Sequence, residues 1–168
     1  MEPMTERGIR ASFVNCSKGE AGRLRLPAAF ADVPWAELDF LGWRDPGAPD
    51  RGYLVVPRAD GPVGVALRAS QNINRSFTKT TLCSLCLTGH PGSDVSLLAA
   101  RRAGAAGRQG DSVGAYMCAD LACPLYLRGR KQSRLVVRYR EGLPLAERVA
   151  RMRGNLDAFL EKVLDGAR

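Results

Sequence analysis

Four of the five cysteines in this sequence fall into two close pairs, and their thiols are the groups best suited to hold a metal ion. Cys83 and Cys86 form a Cys-x2-Cys pair, and Cys118 and Cys123 form a Cys-x4-Cys pair. Zinc takes four ligands at the corners of a tetrahedron, and a two-residue spacing lets one tight turn present two sulfurs to it. A second pair from elsewhere in the chain completes the set. The spacing therefore predicts one Zn²⁺ ion bound by these four cysteines.

Other interpretations of the cysteines stay open at this point. Cysteine is common in protein cores, so four ordinary buried cysteines would give the same residues without a metal. An iron–sulfur cluster also takes four thiolates. A redox Cys-x2-Cys is disfavoured, because no strand and helix of the thioredoxin kind precede Cys83. Two pairs on either side of a predicted hairpin favour zinc over these alternatives.

Few other residues offer chemistry beside the cysteine pairs. His90 is the single histidine, and at four positions beyond Cys86 it is an alternative zinc ligand. Because four thiolates already satisfy the metal, we favour a structural role for it beside the ligands, and we predict that Cys16 is a free thiol. A catalytic zinc normally keeps one position open, and one histidine leaves little acid–base chemistry near neutral pH. With no phosphate-cradling glycine loop and no Ser/His/Asp triad, we predict that the protein is not an enzyme.

The elements around the second cysteine pair are expected to be a hairpin and a helix. Residues 95–99 and 113–117 predict two strands, and the second strand leads directly into Cys118. Pro124 follows Cys123 and suits the first turn of a helix. A tight turn with two cysteines, then a hairpin, then a cysteine at the start of a helix is the order of elements in a treble-clef zinc finger. Between the two strands, residues 101–110 are glycine-rich and basic and predict a mobile loop.

The N-terminal half predicts short elements. Residues 24–43 are rich in aromatic and aliphatic side chains, and the interruptions at Pro27 and Pro34 predict two short helices, one from each proline. We expect the segment 35–43 to pack into the core. Residues 45–50 predict a loop by composition. Residues 53–56 and 63–67 predict a β-hairpin with its turn at Asp60 and Gly61.

The C-terminus predicts an amphipathic helix. Apolar residues recur there at spacings of three and four after Pro144, which suits a position just before the first turn. The stripe consists of Leu145, Val149, Met152, Leu156, Phe159, Leu160, Val163 and Leu164. We expect it to face the core. The fold class predicted from these elements is α+β, with small β-hairpins, short helices, a treble-clef zinc finger and this C-terminal helix.

The length and charge of the chain narrow its class. A chain of 168 residues suits a single domain, and its formal net charge is +8. Four thiolates and one Zn²⁺ would leave about +6, which favours acidic partners such as RNA, a ribosomal surface or an acidic protein. An arginine-rich surface that only reflects a GC-rich genome is the alternative. The N-terminus lacks the apolar stretch of a secretory signal, and no run approaches the roughly 18 apolar residues of a membrane span. We therefore expect a cytoplasmic protein with no membrane contact, in which clustered thiols bind metal rather than form disulfides.

The order of these motifs resembles the FBP domain, the zinc-bearing part of the FusB-type proteins that bind elongation factor G. Those proteins confer fusidic acid resistance by helping the factor to leave the ribosome. The matching segments are Leu26-Pro27, Trp35, Leu38-Asp39-Phe40-Leu41-Gly42-Trp43, Leu82-Cys83-Ser84-Leu85-Cys86 and Tyr116-Met117-Cys118. The resemblance extends over residues 9–162 and implies one domain at 9–164 with a zinc module at about 81–131. It places the family's metal site on the same four cysteines.

The resemblance also implies a function. It suggests a non-catalytic protein that binds elongation factor G or the ribosome, and we expect a monomer. The resistance proteins carry a helical domain ahead of the zinc-bearing one, for which this sequence has no room, so the expectation is limited to binding. The candidate contact residues surround the zinc module. They are Tyr126, Arg128, Arg130 and Lys131, with Phe77 and Lys79 before the first cysteine pair as second choices.

A rival hypothesis is direct RNA binding by a zinc finger. Basic residues cluster after the metal site with tyrosines between them, and such a patch suits phosphate contacts and base stacking. The patch consists of Arg128, Arg130, Lys131, Arg134, Arg138 and Arg140, with Tyr126 and Tyr139. A solvated basic face without a ligand is the third interpretation.

Overall fold

A computed structural model describes residues 1–70, 80–134 and 141–165 of the protein. Within these ranges the chain forms helices and antiparallel strands, which confirms the α+β class. The helices are α1 (Glu6–Ala11), α2 (Lys18–Arg23), α3 (Gly104–Arg108), α4 (Cys123–Leu127) and α5 (Leu145–Leu164), with 3₁₀ turns at Phe30–Asp32, Trp35–Glu37 and Gly92–Asp94. The strands are β1 (Leu41–Asp45), β2 (Ala48–Val56), β3 (Val63–Ala69), β4 (Thr80–Leu82), β5 (Gly89–Pro91), β6 (Val95–Arg101) and β7 (Ser112–Cys118).

Five of these strands form one antiparallel sheet in the order β1-β2-β3-β6-β7. Both predicted hairpins are present: Val56 pairs with Val63 at the end of β2–β3, and β6–β7 runs from the pair of Val95 and Cys118 to the pair of Arg101 and Ser112. Strands β4 and β5 form a separate two-stranded hairpin. The long β6–β7 hairpin therefore brings Cys118 to one end of the sheet.

The sheet is covered on both faces, as the alternation of its buried side chains requires. Leu54 and Val65 face a cluster that contains the four paired cysteines and the apolar stripe of α5. Tyr53 and Val55 face a second cluster, which is completed by the N-terminal helices and the segment that follows them. The sheet thus separates an N-terminal layer from a layer that holds α5 and the cysteine module.

Helix α5 forms as predicted and begins directly after Pro144. Its fully or nearly fully buried residues are Met152, Leu156, Phe159, Leu160 and Val163, whereas Leu145 at its start is exposed. The apolar stripe is therefore a core-packing face over most of its length. Within the described ranges, no helix has both the length and the apolar character needed to cross a lipid bilayer.

The two short helices predicted within residues 24–43 are present only as single 3₁₀ turns: one follows Pro34 directly, and the other begins at Phe30 rather than at Pro27. Residues 41–45 form strand β1 with buried residues at every second position. Dense apolar content does not distinguish a buried strand from a helix at this length. Trp43 is buried as predicted, and its indole Nε1 donates to the Arg25 carbonyl over 2.9 Å. Trp35 is only half-buried and packs edge-on against Phe30.

Two predicted loops are more ordered than expected. Residues 45–50 include only a tight turn, because β1 ends at Asp45 and β2 begins at Ala48. The glycine-rich segment 101–110 contains the short helix α3. Helices α1 and α2 were not predicted, since each has six residues and one buried side chain. The signal for α2 was nevertheless present: Ser17 and Glu20 form a capping box, a Ser-x-x-Glu pattern that marks a helix start.

Candidate metal centre

The first cysteine pair lies in the tight turn between β4 and β5. The Leu87 amide donates to the Cys83 carbonyl over 2.9 Å, and the Cys83 amide donates to the Thr88 carbonyl over 3.2 Å. Leu87 has a φ of +56°, a left-handed conformation that glycine adopts without strain but leucine does not. These contacts fold the chain back so that both thiols point to the same side of the turn, which we call the knuckle (residues 82–89).

The second pair joins the end of β7 to the start of α4. Cys118 is the last residue of β7 and Cys123 is the first residue of α4, with Pro124 in its first turn, as the sequence predicted. The Leu121 amide donates to the Cys118 carbonyl over 2.9 Å, and the Asp120 carboxylate accepts from the Ala122 amide over 3.1 Å. The intervening loop is thereby closed on itself, and it aims both thiols at the knuckle.

The four cysteine sulfurs converge on one buried point. All four Sγ atoms lie within 4.8 Å of one another. Cys83 and Cys123 are 3.7 Å apart, and Cys86 and Cys118 are 3.6 Å apart. Four sulfurs placed about 2.3 Å from a central zinc would be about 3.8 Å apart along each edge of the tetrahedron. The donor type, the number of donors and their spacing therefore fit a tetrahedral zinc.

The thiols perturb one another strongly. Hydrogen bonds from Cys118 and Cys123 lower the pKa of Cys86, whereas the hydrogen-bonded contact with Cys118 is the main cause that raises the pKa of Cys123. Burial adds to the rise at Cys123, because it disfavours the charged thiolate. Four thiolates cannot share one dry site without a cation. A divalent metal removes this conflict by binding all four sulfurs as thiolates.

His90 lies at the edge of the sulfur cluster. Its side chain is fully buried, and its Nε2 is 3.4 Å from the Cys118 sulfur. The ring stacks edge-on against Tyr126 with 4.6 Å between the ring centres. Among the described residues, Nδ1 has no hydrogen-bond partner. The four cysteine sulfurs come together without the His90 ring. The geometry therefore suits a histidine that packs against Cys118 and is not itself a metal ligand.

The second pair is anchored to the sheet by a residue that the sequence did not reveal. Leu121 is fully buried, has a φ of +59° and lies against strands β1 and β2. A Cβ on Gly42 would come within 2.6 Å of the Leu121 carbonyl oxygen, and one on Gly52 would come within 3.0 Å of its side chain. Both glycines are therefore needed to let the loop approach. The Leu-Gly-Trp segment at residues 41–43 was the only sequence signal of this contact.

The predicted contact residues after the metal site make bonds within the protein. Tyr126 donates its hydroxyl to the Asp120 carboxylate over 2.9 Å, and the Lys131 ammonium lies 2.6 Å from the same carboxylate. Burial alone would raise the pKa of Asp120, but the hydrogen bonds from Lys131 and the Ala122 amide lower it below the usual range. Asp120 is thus a fixed anion that braces the loop between the second pair of cysteines.

The two predicted arginines form ion pairs. Arg128 lies 2.6 Å from Asp39, whose side chain is only 2% exposed, and Arg153 of α5 reaches the same carboxylate over 3.0 Å. Arg130 lies 2.9 Å from Glu37 and remains 64% exposed. The other two predicted residues, Phe77 and Lys79, lie outside the described residues, as do Arg138, Tyr139 and Arg140. Cys16 is a free, half-buried thiol, and burial is the main cause that raises its pKa.

Comparison with known families agrees with this geometry. The model of the FBP C-terminal treble-clef zinc-finger family matches residues 8–163. No curated protein and no solved structure gave a match to the chain. The matched range contains both cysteine pairs, the Leu-Gly-Trp segment and most of α5, and the four buried cysteines supply a zinc site of the kind that the family name describes. The chain is a zinc-binding protein and belongs to the FBP C-terminal treble-clef zinc-finger family.

Proposed function

We propose that this protein is a non-catalytic, cytoplasmic binding protein whose partner is a translation factor, with elongation factor G as the candidate. In this proposal one zinc, held by Cys83, Cys86, Cys118 and Cys123, shapes the binding surface and takes no part in a reaction. The resemblance to FusB-type proteins suggests the partner. The buried set of four thiols leaves no open position of the kind that a catalytic zinc keeps for water.

The observation that carries the proposal is an apolar surface around the knuckle. Five large hydrophobic side chains are exposed among the described residues, and three of them surround this turn: Leu82 at 58%, Leu87 at 39% and Tyr116 at 45%. The Tyr116 carbonyl accepts from the Ser84 amide over 2.7 Å, which places β7 beside the knuckle. Exposed apolar side chains held on a rigid turn are typical of protein-binding surfaces.

Basic residues lie in the same module. Arg130 and Lys131 keep about half or more of their side chains exposed although each has an acidic neighbour. We call Arg130 and Lys131 the basic rim. Basic residues in the same module as an apolar surface favour an acidic protein partner, because charge complementarity speeds encounter and the apolar surface supplies affinity. The side chains of Tyr126 and Arg128 are already bonded to Asp120 and Asp39 within the protein and stabilise the module. We therefore place the main contacts with the partner at the knuckle, Arg130 and Lys131.

The experiment is a binding titration against elongation factor G from the same organism at two salt concentrations. The test variant combines Leu82→Ser with Leu87→Gly, which removes apolar surface from the knuckle without disturbing a buried side chain. We expect it to weaken binding by about tenfold or more. The matched control combines Leu143→Ser with Leu145→Ser, since these leucines are also exposed but lie just before and at the first residue of α5, and we expect it to bind normally.

A second pair of variants tests the basic rim. Arg130→Glu with Lys131→Glu should weaken binding and reduce its salt dependence, whereas Arg7→Glu with Arg25→Glu, on the opposite layer, should have little effect. Circular dichroism and thermal unfolding check that each variant is folded. Absence of saturable binding at micromolar protein, together with tight nuclease-sensitive RNA binding, would refute the proposal in favour of an RNA-binding zinc finger.

A further inference from the structure

We propose that the N-terminal face of the sheet carries a binding site for a small phosphorylated molecule with two adjacent phosphates. A cleft of about 580 Å³ opens there between α2 and strands β2, β3 and β6. Small-molecule sites in proteins commonly have volumes of about 300–1,000 Å³. The cleft does not touch any of the four paired cysteines, and it lies at the end of the β6–β7 hairpin opposite Cys118.

Four arginines surround the cleft: Arg23, Arg51, Arg68 and Arg101. Glu20 is the one acid among the described residues of the lining, and these residues carry a net charge of +3. Among the described residues, only Arg68 of the four forms an ion pair, with Asp50 over 3.2 Å. A cleft lined by one sign of charge concentrates the electrostatic potential and attracts counter-charged ligands.

Three of the arginines are held in a row by the sheet. Arg51 of β2 is the direct partner of Arg68 of β3, and Arg68 is the direct partner of Ala99 of β6, two residues from Arg101. Side chains two residues apart share one face of a strand, and adjacent strands lie about 4.8 Å apart. Like charges placed directly opposite one another destabilise a sheet. A bound anion between them would remove this repulsion.

The floor of the cleft cannot supply the missing negative charge. Tyr53 donates its hydroxyl to Asp45 over 3.0 Å, and burial is the main cause that raises the pKa of Tyr53 to about 12, so it remains neutral. The Asn15 side-chain amide is fully used: its Nδ2 donates to the carbonyls of Ala66 and Arg101, and its Oδ1 accepts from the Ala66 amide. Glu20 is held by the capping box of α2 and also interacts electrostatically with Arg101 and Arg23, but its single charge cannot balance four arginines. The arginine guanidinium groups are therefore the ligand-binding groups, and their paired donors match phosphate oxygens.

The size of the cleft argues for more than a single inorganic ion. A second cavity of about 360 Å³ shares Asn15, Cys16, Glu20 and Arg101 with the first and extends it towards α3. Two neighbouring phosphates can span the arginine row, and the added space accommodates an organic group attached to them. A nucleoside diphosphate has this chemistry.

The test measures binding of inorganic pyrophosphate and of ADP to the full chain by calorimetry and phosphorus NMR. We expect one ligand per chain, and about tenfold weaker binding for Arg51→Gln with Arg101→Gln. The matched control, Arg58→Gln with Arg134→Gln, removes the same charge from two arginines that pair with Asp157 and Asp94 outside the cleft, and it should bind normally. Arg51→Lys with Arg101→Lys keeps the charge but loses the paired donors, and we expect intermediate affinity.

Three outcomes would overturn the inference. These are no binding of either probe at millimolar concentration, equal weakening in the cleft variant and the control variant, or binding of single-stranded RNA alone. All substituted residues of the cleft are exposed, so each variant should remain folded, and thermal unfolding checks this. The cleft and the knuckle lie on opposite layers, so failure here leaves the proposed partner binding untouched, and the reverse also holds.

Discussion

At the scale of single residues, two leucines adopt the left-handed conformation that favours glycine, and both lie beside a cysteine pair. Leu87 closes the knuckle and is partly exposed, whereas Leu121 lies in the second loop and is fully buried. The conformation costs roughly 1–2 kcal/mol for an L-residue with a side chain. At Leu121 the burial of the side chain offsets that cost. At Leu87 no buried contact does so, which suggests that its side chain is retained for another purpose, such as the proposed partner surface.

Substitution of each leucine by glycine should therefore have opposite effects on stability. Leu87→Gly relieves the strain and loses little burial, so we expect the free energy of unfolding to stay the same or rise by about 1 kcal/mol. Leu121→Gly removes a fully buried side chain and should cost roughly 2–4 kcal/mol net of the relieved strain. Denaturant unfolding of the zinc-loaded protein measures both. A large loss of stability in Leu87→Gly would show that this side chain is part of the core.

The close approach of Leu121 to the sheet makes a second prediction. In Gly42→Ala the new Cβ would lie 2.6 Å from the Leu121 carbonyl, so the loop or β1 must move. We expect the free energy of unfolding to fall by roughly 1–3 kcal/mol, the usual effect of overpacking.

Gly154→Ala is the matched control, because this glycine is on the exposed side of α5 with no atom within 4 Å of a new Cβ. In this control the free energy of unfolding should rise by up to about 1 kcal/mol, because alanine has a higher helix propensity than glycine. Equal effects of the two substitutions on the unfolding midpoint would contradict the proposed role of Gly42.

Residue types and spacings predicted which four cysteines would cluster, because each cysteine pair is a local signal. The knuckle and the strand-to-helix junction are each only a few residues long, so the sequence contains both. The contact of Leu121 with Gly42 is different, since it joins segments that are far apart in the chain. A resemblance singled out the Leu-Gly-Trp segment, but only the structure shows that its glycine makes room for the metal-binding loop.

At the scale of elements, one buried carboxylate joins three segments. Asp39 follows the second 3₁₀ turn, Arg128 caps the end of α4, and Arg153 projects from α5. The carboxylate is nearly inaccessible to solvent, so its two arginines compensate for its burial. This contact fixes α4, which begins with Cys123 of the sulfur cluster, against the long helix.

Asp39→Asn should therefore destabilise the protein by about 2–4 kcal/mol. This loss is smaller than the roughly 3–5 kcal/mol that follows when one partner of a fully buried ion pair is removed, because Arg153 is 61% exposed. The matched control is Glu37→Gln, which removes the pair with the exposed Arg130 and should cost at most about 1 kcal/mol. Thermal unfolding of both variants makes the comparison. If the two variants unfold at the same temperature, Asp39 does not join these elements as argued.

The elements differ in how well they could be predicted. Helix α5 has twenty residues and a clear apolar period, so its position followed from the sequence. Strand β1 was not predicted, because a short apolar run fits a buried strand or a helix equally well, and only the pairing of Leu41 with Val55 decides between them. The six-residue helices α1 and α2 bury too little to leave a periodic pattern, although their caps are visible in the sequence.

At the scale of the whole molecule, the metal centre belongs to one of the two layers. The cluster that contains Cys83, Cys86, Cys118 and Cys123 also contains the inner residues of α5 and one face of the sheet. The N-terminal cluster, built on Ile9, Trp43 and Tyr53, contains none of the paired cysteines. Zinc should therefore stabilise the two layers unequally.

Elemental analysis of the purified protein should find about one equivalent of zinc per chain. Removal of the zinc by a chelator should destabilise the layer that contains the metal centre more than the N-terminal layer. Structural zinc contributes about 10–16 kcal/mol in small zinc-finger peptides, as much as the net stability of a typical domain. Removal of the metal, or Cys86→Ser, should abolish hydrogen-exchange protection in β4, β5, α4 and the inner face of α5. Protection in β1 and β2 should fall less, because their outer face packs on the N-terminal cluster.

Acid should act in the same direction as chelation. Protons compete with zinc for the four thiolates, so affinity falls as the pH is lowered, and the site should empty before the N-terminal layer unfolds. Cys16→Ser is the matched control, because this thiol lies outside the sulfur cluster, and it should leave the zinc content and the exchange pattern unchanged. Uniform loss of protection across both layers on chelation would show that the metal supports the whole fold as one unit. Iron in place of zinc would contradict the assignment of the centre itself.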